Sequence, residues 1–234
     1  MSDPILAVHG LSAGYGDFQA LFDVSFALEE GGLLGLVGAN GAGKSTLFKA
    51  ILGQLPRKRD MVHFRGQPIG HLKTEVMLRL GIAQVPEGRR LFPSLSVEEN
   101  LQLAAERGRK GDWTLRRVYD LFPILREKRM ARSMSLSGGQ QQMVAIGRAL
   151  VANPAVILFD EISLGLAPIV VSDVYAAMPE ILKSGVSAIV VEQDIERVRA
   201  IADTLVCLNE GRVVLSGPTR DFTKAQITTA YFGE

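Results

Sequence analysis

"LLGLVGANGAGKSTLFKAILG", Leu33 to Gly53, decides how the rest of the chain is read. It opens on a continuous apolar run, the pattern of a strand covered on both faces. It closes on apolar residues at helical spacing, ended by Gly53. Between them "GANGAGKS", Gly38 to Ser45, matches G-x-x-x-x-G-K-[ST] in full, in the strand–loop–helix context the motif requires. Glycines let the backbone curl so that N–H groups face phosphate oxygens, and the following helix adds the positive end of its dipole. In this pattern Gly38, Asn40, Gly41, Ala42 and Gly43 form the cradle. Lys44 reaches the β- and γ-phosphates, the Ser45 hydroxyl ligates Mg²⁺, and Thr46 bonds an earlier phosphate.

The rest of the chain sets limits around that loop. Its 234 residues can bury a large core. Hydrophobic residues make up 47% and charged residues 22%, an ordinary globular balance. A formal net charge of +1 gives no field to attract DNA or RNA. The single cysteine, Cys207, excludes an internal disulfide framework, fits a reducing compartment, and reads as a buried hydrophobe in "TLVCLN". The start, "MSDPILAVHG", lacks the pattern of a signal peptide. No apolar run approaches the ~20 residues that span a bilayer, although mean hydropathy is +0.17. Work at a membrane would need spanning helices from other chains.

Upstream of the loop, "ILAVHGLSAGYG" and "ALFDVSFALEEGG" read as strands with Gly-rich punctuation. From about Lys73 to Arg132 the pattern is mostly helical and more charged. "SVEE" predicts a helix start with Ser96 as N-cap and Glu99 at N3. Alternation then returns: helix "QQQMVAIGRALVA", strand "VILF", helix "VSDVYAAMPEILKSG", strand "SAIVV", helix "IERVRAIA", strand "TLVCL" and a tight hairpin at "NEG". The expectation is one α/β domain over residues 1–234: a P-loop NTPase core with a mostly parallel sheet, an N-terminal antiparallel β subdomain and an inserted α-helical lobe.

Two more stretches carry chemistry. "VILFDE" places Asp160 and Glu161 at the carboxyl end of a buried strand, where α/β sheets hold ligands. Asp160 can hold Mg²⁺ through its water shell, and Glu161 can polarise an attacking water. "LSGGQQQ", Leu136 to Gln142, has no nucleophile with a base beside it, no metal-ligand cluster and no charge. Ser137 offers a hydroxyl, Gly138 and Gly139 allow close backbone approach, and the helix after them presents its N-terminus to an anion. A plain helix cap would explain the serine but not both glycines.

Taken together, "GANGAGKST", "LSGGQ" and "FDE", in this order, resemble the ATP-binding subunit of an ABC transporter. The resemblance covers nearly the whole chain, and "LSGGQ" is its most specific part. It implies ATP and Mg²⁺ as ligands. It also implies two ATPase domains facing head to tail, with Ser137, Gly138, Gly139 and Gln140 of one closing over the nucleotide held by the other. Tyr15 in "GYG" lies where the family stacks an aromatic on adenine. "SLGLAP" resembles the family's D-loop on the dimer seam, through Ser163 to Leu166. Three positions depart from the family. Ile162 stands where a proline usually follows the catalytic glutamate. Glu87 takes the Q-loop glutamine position, with Gln84 three residues early, and which of the two serves that role stays open. Gln193 in "VVEQD" replaces the switch histidine. His9, His63 and His71 lie outside these motifs.

"VPEGRRLFPSLSVEENL", "SLGLAP", "VEQD" and "AYFGE" as a set look like the branch that imports branched-chain amino acids, with relatives for urea and short amides. That resemblance implies membrane permeases, a second ATPase subunit (identical or not) and a place on the inner face of the cell membrane. It also implies a docking groove near Glu87 to Leu95. DNA-repair and chromosome ATPases share the phosphate loop and signature but need coiled-coil arms or zinc-binding cysteine sets, which this sequence lacks. Nucleic acid is therefore not expected as a partner.

Overall fold

The structure, a computed structural model, describes residues 3–233; Met1, Ser2 and Glu234, the last residue of "AYFGE", lie outside the described residues. In chain order the strands are β1 (Leu6–Tyr15), β2 (Phe18–Leu28), β3 (Leu33–Val37), β4 (Val62–Phe64), β5 (Gln67–Pro68), β6 (Ile82–Val85), β7 (Val156–Asp160), β8 (Ser187–Val191), β9 (Thr204–Asn209) and β10 (Arg212–Pro218). The helices are α1 (Lys44–Ile51), α2 (Thr74–Leu80), α3 (Val97–Arg107), α4 (Leu115–Leu121), α5 (Pro123–Glu127), α6 (Gly138–Leu150), α7 (Pro168–Ala176), α8 (Met178–Lys183), α9 (Ile195–Ile201) and α10 (Lys224–Phe232).

Two sheets result. The N-terminal one is four-stranded and antiparallel, ordered β2-β1-β4-β5. The central one is six-stranded, ordered β10-β9-β3-β8-β7-β6, and parallel except for the edge strand β10. Every residue of β3, β7 and β8 is buried, as their unbroken apolar runs predict. Side chains alternate between two cores. Ile157, Phe159 and Val190 face the core shared with the helices, while Leu158, Ile189 and Phe48 join the core under the antiparallel sheet. The hairpin between β9 and β10 turns on Glu210 and Gly211, with φ of 45° and 75°, the left-handed pair of a type I′ turn.

The predicted caps form: Ser96 and Glu99 make a full capping box at the start of α3. Two expectations need adjustment. The helical stretch read from Lys73 to Arg132 contains β6, which pairs with β7 in the main sheet, so the helices of the lobe begin at α3. The helix read through "VSDVYAAMPEILKSG" divides into α7 and α8 because Pro179 lacks the N–H that would bond Tyr175 and crowds that turn. Among the described residues, no helix is long and apolar enough to cross a membrane.

Candidate functional site

At the carboxyl ends of β3, β7 and β8 lies a cavity of about 520 Å³. It gathers Tyr15, Asn40, Gly41, Gly43, Lys44, Ser45, Thr46, Glu87, Glu161 and Gln193. Gly38 and Ala42 are buried in the floor of the loop. A Cβ on Gly38 would run into the Leu208 carbonyl, so the loop can pass β9 only as glycine. At the N-terminus of α1, Gly43 has φ 105° and no side-chain cap. The first-turn amides are left for an anion.

Lys44 is buried, and its Nζ donates to the Gly38 carbonyl at 2.7 Å and the Ala39 carbonyl at 3.0 Å. It also stands 3.6 Å from Glu161 Oε1. The ammonium is thus fixed over the loop with the Glu161 carboxylate at ion-pair distance. Glu161 holds a left-handed backbone, φ 47°, uncommon for a residue with a side chain. Its Oε2 accepts a 2.8 Å hydrogen bond from Gln193 Nε2, which also reaches Asn40 Oδ1 at 3.3 Å. The structure therefore brings Glu161, Gln193 and the phosphate loop into one connected set.

Asp160 lies beneath them, 6% exposed. Its Oδ1 has no hydrogen-bond partner, and Oδ2 accepts from Gln84 Nε2 at 3.4 Å. Burial, with the nearby Glu161 and Glu87 charges, pushes its carboxyl up to about 6, partly offset by Lys44 and Arg90. An orphaned buried carboxylate oxygen calls for a cation or its water, and the exposed Ser45 hydroxyl lines the same cavity. The donor set fits Mg²⁺, which keeps several waters and takes few protein ligands beside substrate phosphates. Among the described residues no group of three His, Cys, Asp or Glu side chains forms a self-sufficient metal cage. Of the two Q-loop candidates, Gln84 bonds Asp160, while Glu87 lines the cavity.

Tyr15 is 44% exposed at the cavity rim. Its hydroxyl contacts Thr46 Oγ1 at 3.4 Å and accepts from Lys49 Nζ at 3.1 Å. These contacts, Thr46 first, draw the phenol below its usual range. Phe18, 70% exposed, lines the same cavity and was not read from the sequence; its place beside the "GYGD" turn was the available signal.

The signature residues sit apart, and none of Ser137, Gly138, Gly139 or Gln140 lines this cavity. Ser137 is the N-cap of α6 and shares a reciprocal capping box with Gln140. Gly139 is buried, and a Cβ there would run into Val170 of α7. That glycine is required by packing within this chain. Gly138 lies beside the Arg89 guanidinium, whose Nη1 reaches Gln141 Oε1 at 3.4 Å. His9 and His63 stack edge to face, 5.1 Å apart, away from the motifs. Cys207 is free and buried, its thiol pushed up to about 11 by burial. A larger cavity, about 700 Å³, is lined by Arg199, Asp203 and Thr219 among others and includes no motif residue.

Comparison with known proteins identifies the arrangement. A family model described as "ABC transporter" matches residues 21–163. The high-affinity branched-chain amino acid transport ATP-binding protein BraG of Pseudomonas aeruginosa is 38% identical over 232 residues, 98% of this chain and 100% of the relative. The probable branched-chain amino acid transport ATP-binding protein LivF of Archaeoglobus fulgidus is 34% identical over 216 residues, 90% of this chain and 91% of the relative. A solved ATP-binding subunit of an ABC transporter superposes with a TM-score of 0.84 at 28% identity, covering 98% of both chains. With the phosphate loop, the buried carboxylate and the signature helix in place, the chain belongs to the ABC transporter family and is one of its ATP-binding, ATP-hydrolysing subunits.

Proposed function

We propose that this chain powers the import of branched-chain amino acids, as one of two ATPase subunits seated beneath membrane permeases on the cytoplasmic face. The observation that carries the cargo is the 38% identity to BraG along essentially the full length of both chains. Urea, short amides or another amino acid would use the same ATPase chemistry, because the cargo does not meet this subunit.

In this reading Tyr15 stacks on adenine while the loop from Gly38 to Thr46 binds the phosphates. Ser45, and Asp160 through water, would hold Mg²⁺, which would supply charge neutralisation for the bound phosphates. Glu161 takes the proton of the attacking water. Gln193, already bonded to Glu161, uses its amide to orient that water and the γ-phosphate; unlike histidine it carries no charge between pH 5 and 8. Glu87 adds a carboxylate at the cavity edge. Ser137 to Gln140 close over the nucleotide of the partner subunit.

The permeases would dock in a groove of about 500 Å³ between core and lobe, lined by Leu78, Ala83, Phe92, Leu103 and Arg148. Phe92 is 47% exposed there. The test is uptake of labelled leucine, isoleucine or valine into vesicles carrying the chain together with permeases and a solute-binding protein of a branched-chain amino acid importer. ATP-dependent uptake is expected. Uptake of urea or an amide instead would reassign the cargo.

A further inference from the structure

The carboxylate next to the switch position, Glu192, is buried at 2% exposure yet has no part in the reaction described above. Both of its oxygens are engaged. Oε1 accepts from the Ser163 backbone N–H at 3.3 Å and from the Tyr175 hydroxyl. Oε2 accepts from the Ser163 hydroxyl at 2.7 Å and lies 4.0 Å from Arg197. Burial and this carboxylate hold the Tyr175 phenol well above its usual range, so Tyr175 stays a donor.

These contacts join two segments that carry the reacting groups. Glu161 N–H donates to the Val191 carbonyl at 3.2 Å, Ser163 is held by Glu192, and Gln193 Nε2 returns to Glu161 Oε2 at 2.8 Å. Residues 161–163 are thereby stitched to residues 191–193 at three successive points. The segment needs this. Glu161 is in a left-handed conformation, and Ile162 follows it where a proline would fix the backbone. The next exposed residue along the segment, Leu164, already lines the nucleotide cavity.

We propose that Glu192 is a positioning residue for hydrolysis: its carboxylate clamps Ser163 and so fixes the Glu161–Gln193 pair. The clamp supplies the rigidity that Ile162 cannot. It also makes Ser163 to Leu166, on the expected dimer seam, the segment through which a seated partner reaches Glu161. The proposal rests on the reading of Glu161 as general base.

The test compares Glu192→Gln, Ser163→Ala and the double variant with the full-length wild-type chain, with Glu161→Gln in parallel. Steady-state ATPase gives kcat and KM, thermal melting reports folding, and hydrogen exchange follows the peptide over residues 161–167. Expected is a fall in kcat of about tenfold or more for each single variant, with KM for ATP unchanged. The double variant should be no slower than Glu192→Gln alone, because both remove one clamp. Exchange over residues 161–167 should rise in both. Should Glu192→Gln fail to fold, Ser163→Ala carries the test alone. Wild-type kcat and exchange in a folded Ser163→Ala or Glu192→Gln variant, with Glu161→Gln inactive, would overturn the clamp and leave the general base standing. Full activity of Glu161→Gln would overturn both.

Discussion

Two helix N-termini in this molecule face phosphate chemistry in opposite ways. That of α1 has no side-chain cap and opens into a cavity whose lysine, serine and carboxylates come from the same chain. That of α6 is closed by its own capping box, and its first residues line no part of that cavity. The first is a finished binding site. The second lines no such cavity, which fits the proposal that its ligand comes on another molecule. Ser137 already accepts from the Gln140 backbone N–H, so its hydroxyl proton and the N–H groups of Gly138 and Gly139 are what α6 has to offer. The difference supports the proposal that α6 contributes to a site completed by a second subunit.

The largest effect should come from breaking the α1 side. Lys44→Ala removes the buried cation of the loop, and equilibrium binding of a fluorescent ATP analogue should be largely abolished. Near wild-type affinity would dissociate the cavity from the nucleotide. A smaller effect sharpens the catalytic half. Gln193→Ala should keep ATP affinity while slowing turnover by roughly tenfold, since it removes the donor to Glu161 and Asn40. Rapid-quench measurement at saturating ATP would show it, and wild-type turnover would remove Gln193 from the mechanism.

The smallest effect concerns the protein without metal. The Asp160 carboxyl is pushed up to about 6 when folded, against about 3.9 in an unfolded chain. Between those values the folded state binds more protons, so stability falls as pH rises from 4 through 6. Asp160→Asn removes the penalty. In EDTA at pH 8 it should melt higher, by roughly 2–4 °C for each kcal/mol relieved. The gain should shrink as pH falls from 6 to 4. An unchanged or lower Tm at pH 8 would contradict the burial argument. In the same variant Mg²⁺-dependent hydrolysis should be lost.

How much of this was legible depends on sequence separation. The phosphate loop is contiguous, so Gly38 to Thr46 could be read as one object, and the strand before "FDE" announced itself by its apolar run. The capping residue Ser96 was equally local, whereas the cap that Ser137 makes is one the sequence reading sets aside. What escaped was built by folding. Gln84 reaches Asp160 across β6 and β7, Phe18 joins the rim because β2 returns beside the loop, and Glu192 meets Ser163 and Tyr175 from another strand end. Gly139 was read as room for a partner, and its nearer reason is Val170 of α7. Pro179 divided a helix whose periodicity continued through it.

The trans role of α6 is the central claim, and one measurement addresses it most directly. Glu161→Gln, which binds ATP without consuming it, should pass from monomer to dimer on addition of ATP and Mg²⁺, read by multi-angle light scattering. Adding Ser137→Arg to that chain places a bulky side chain on an exposed cap that does not line the α1 cavity. The double variant should bind ATP with the same affinity and remain a monomer. An ATP-dependent dimer of normal stability in the double variant would show that α6 does not grip the partner's nucleotide.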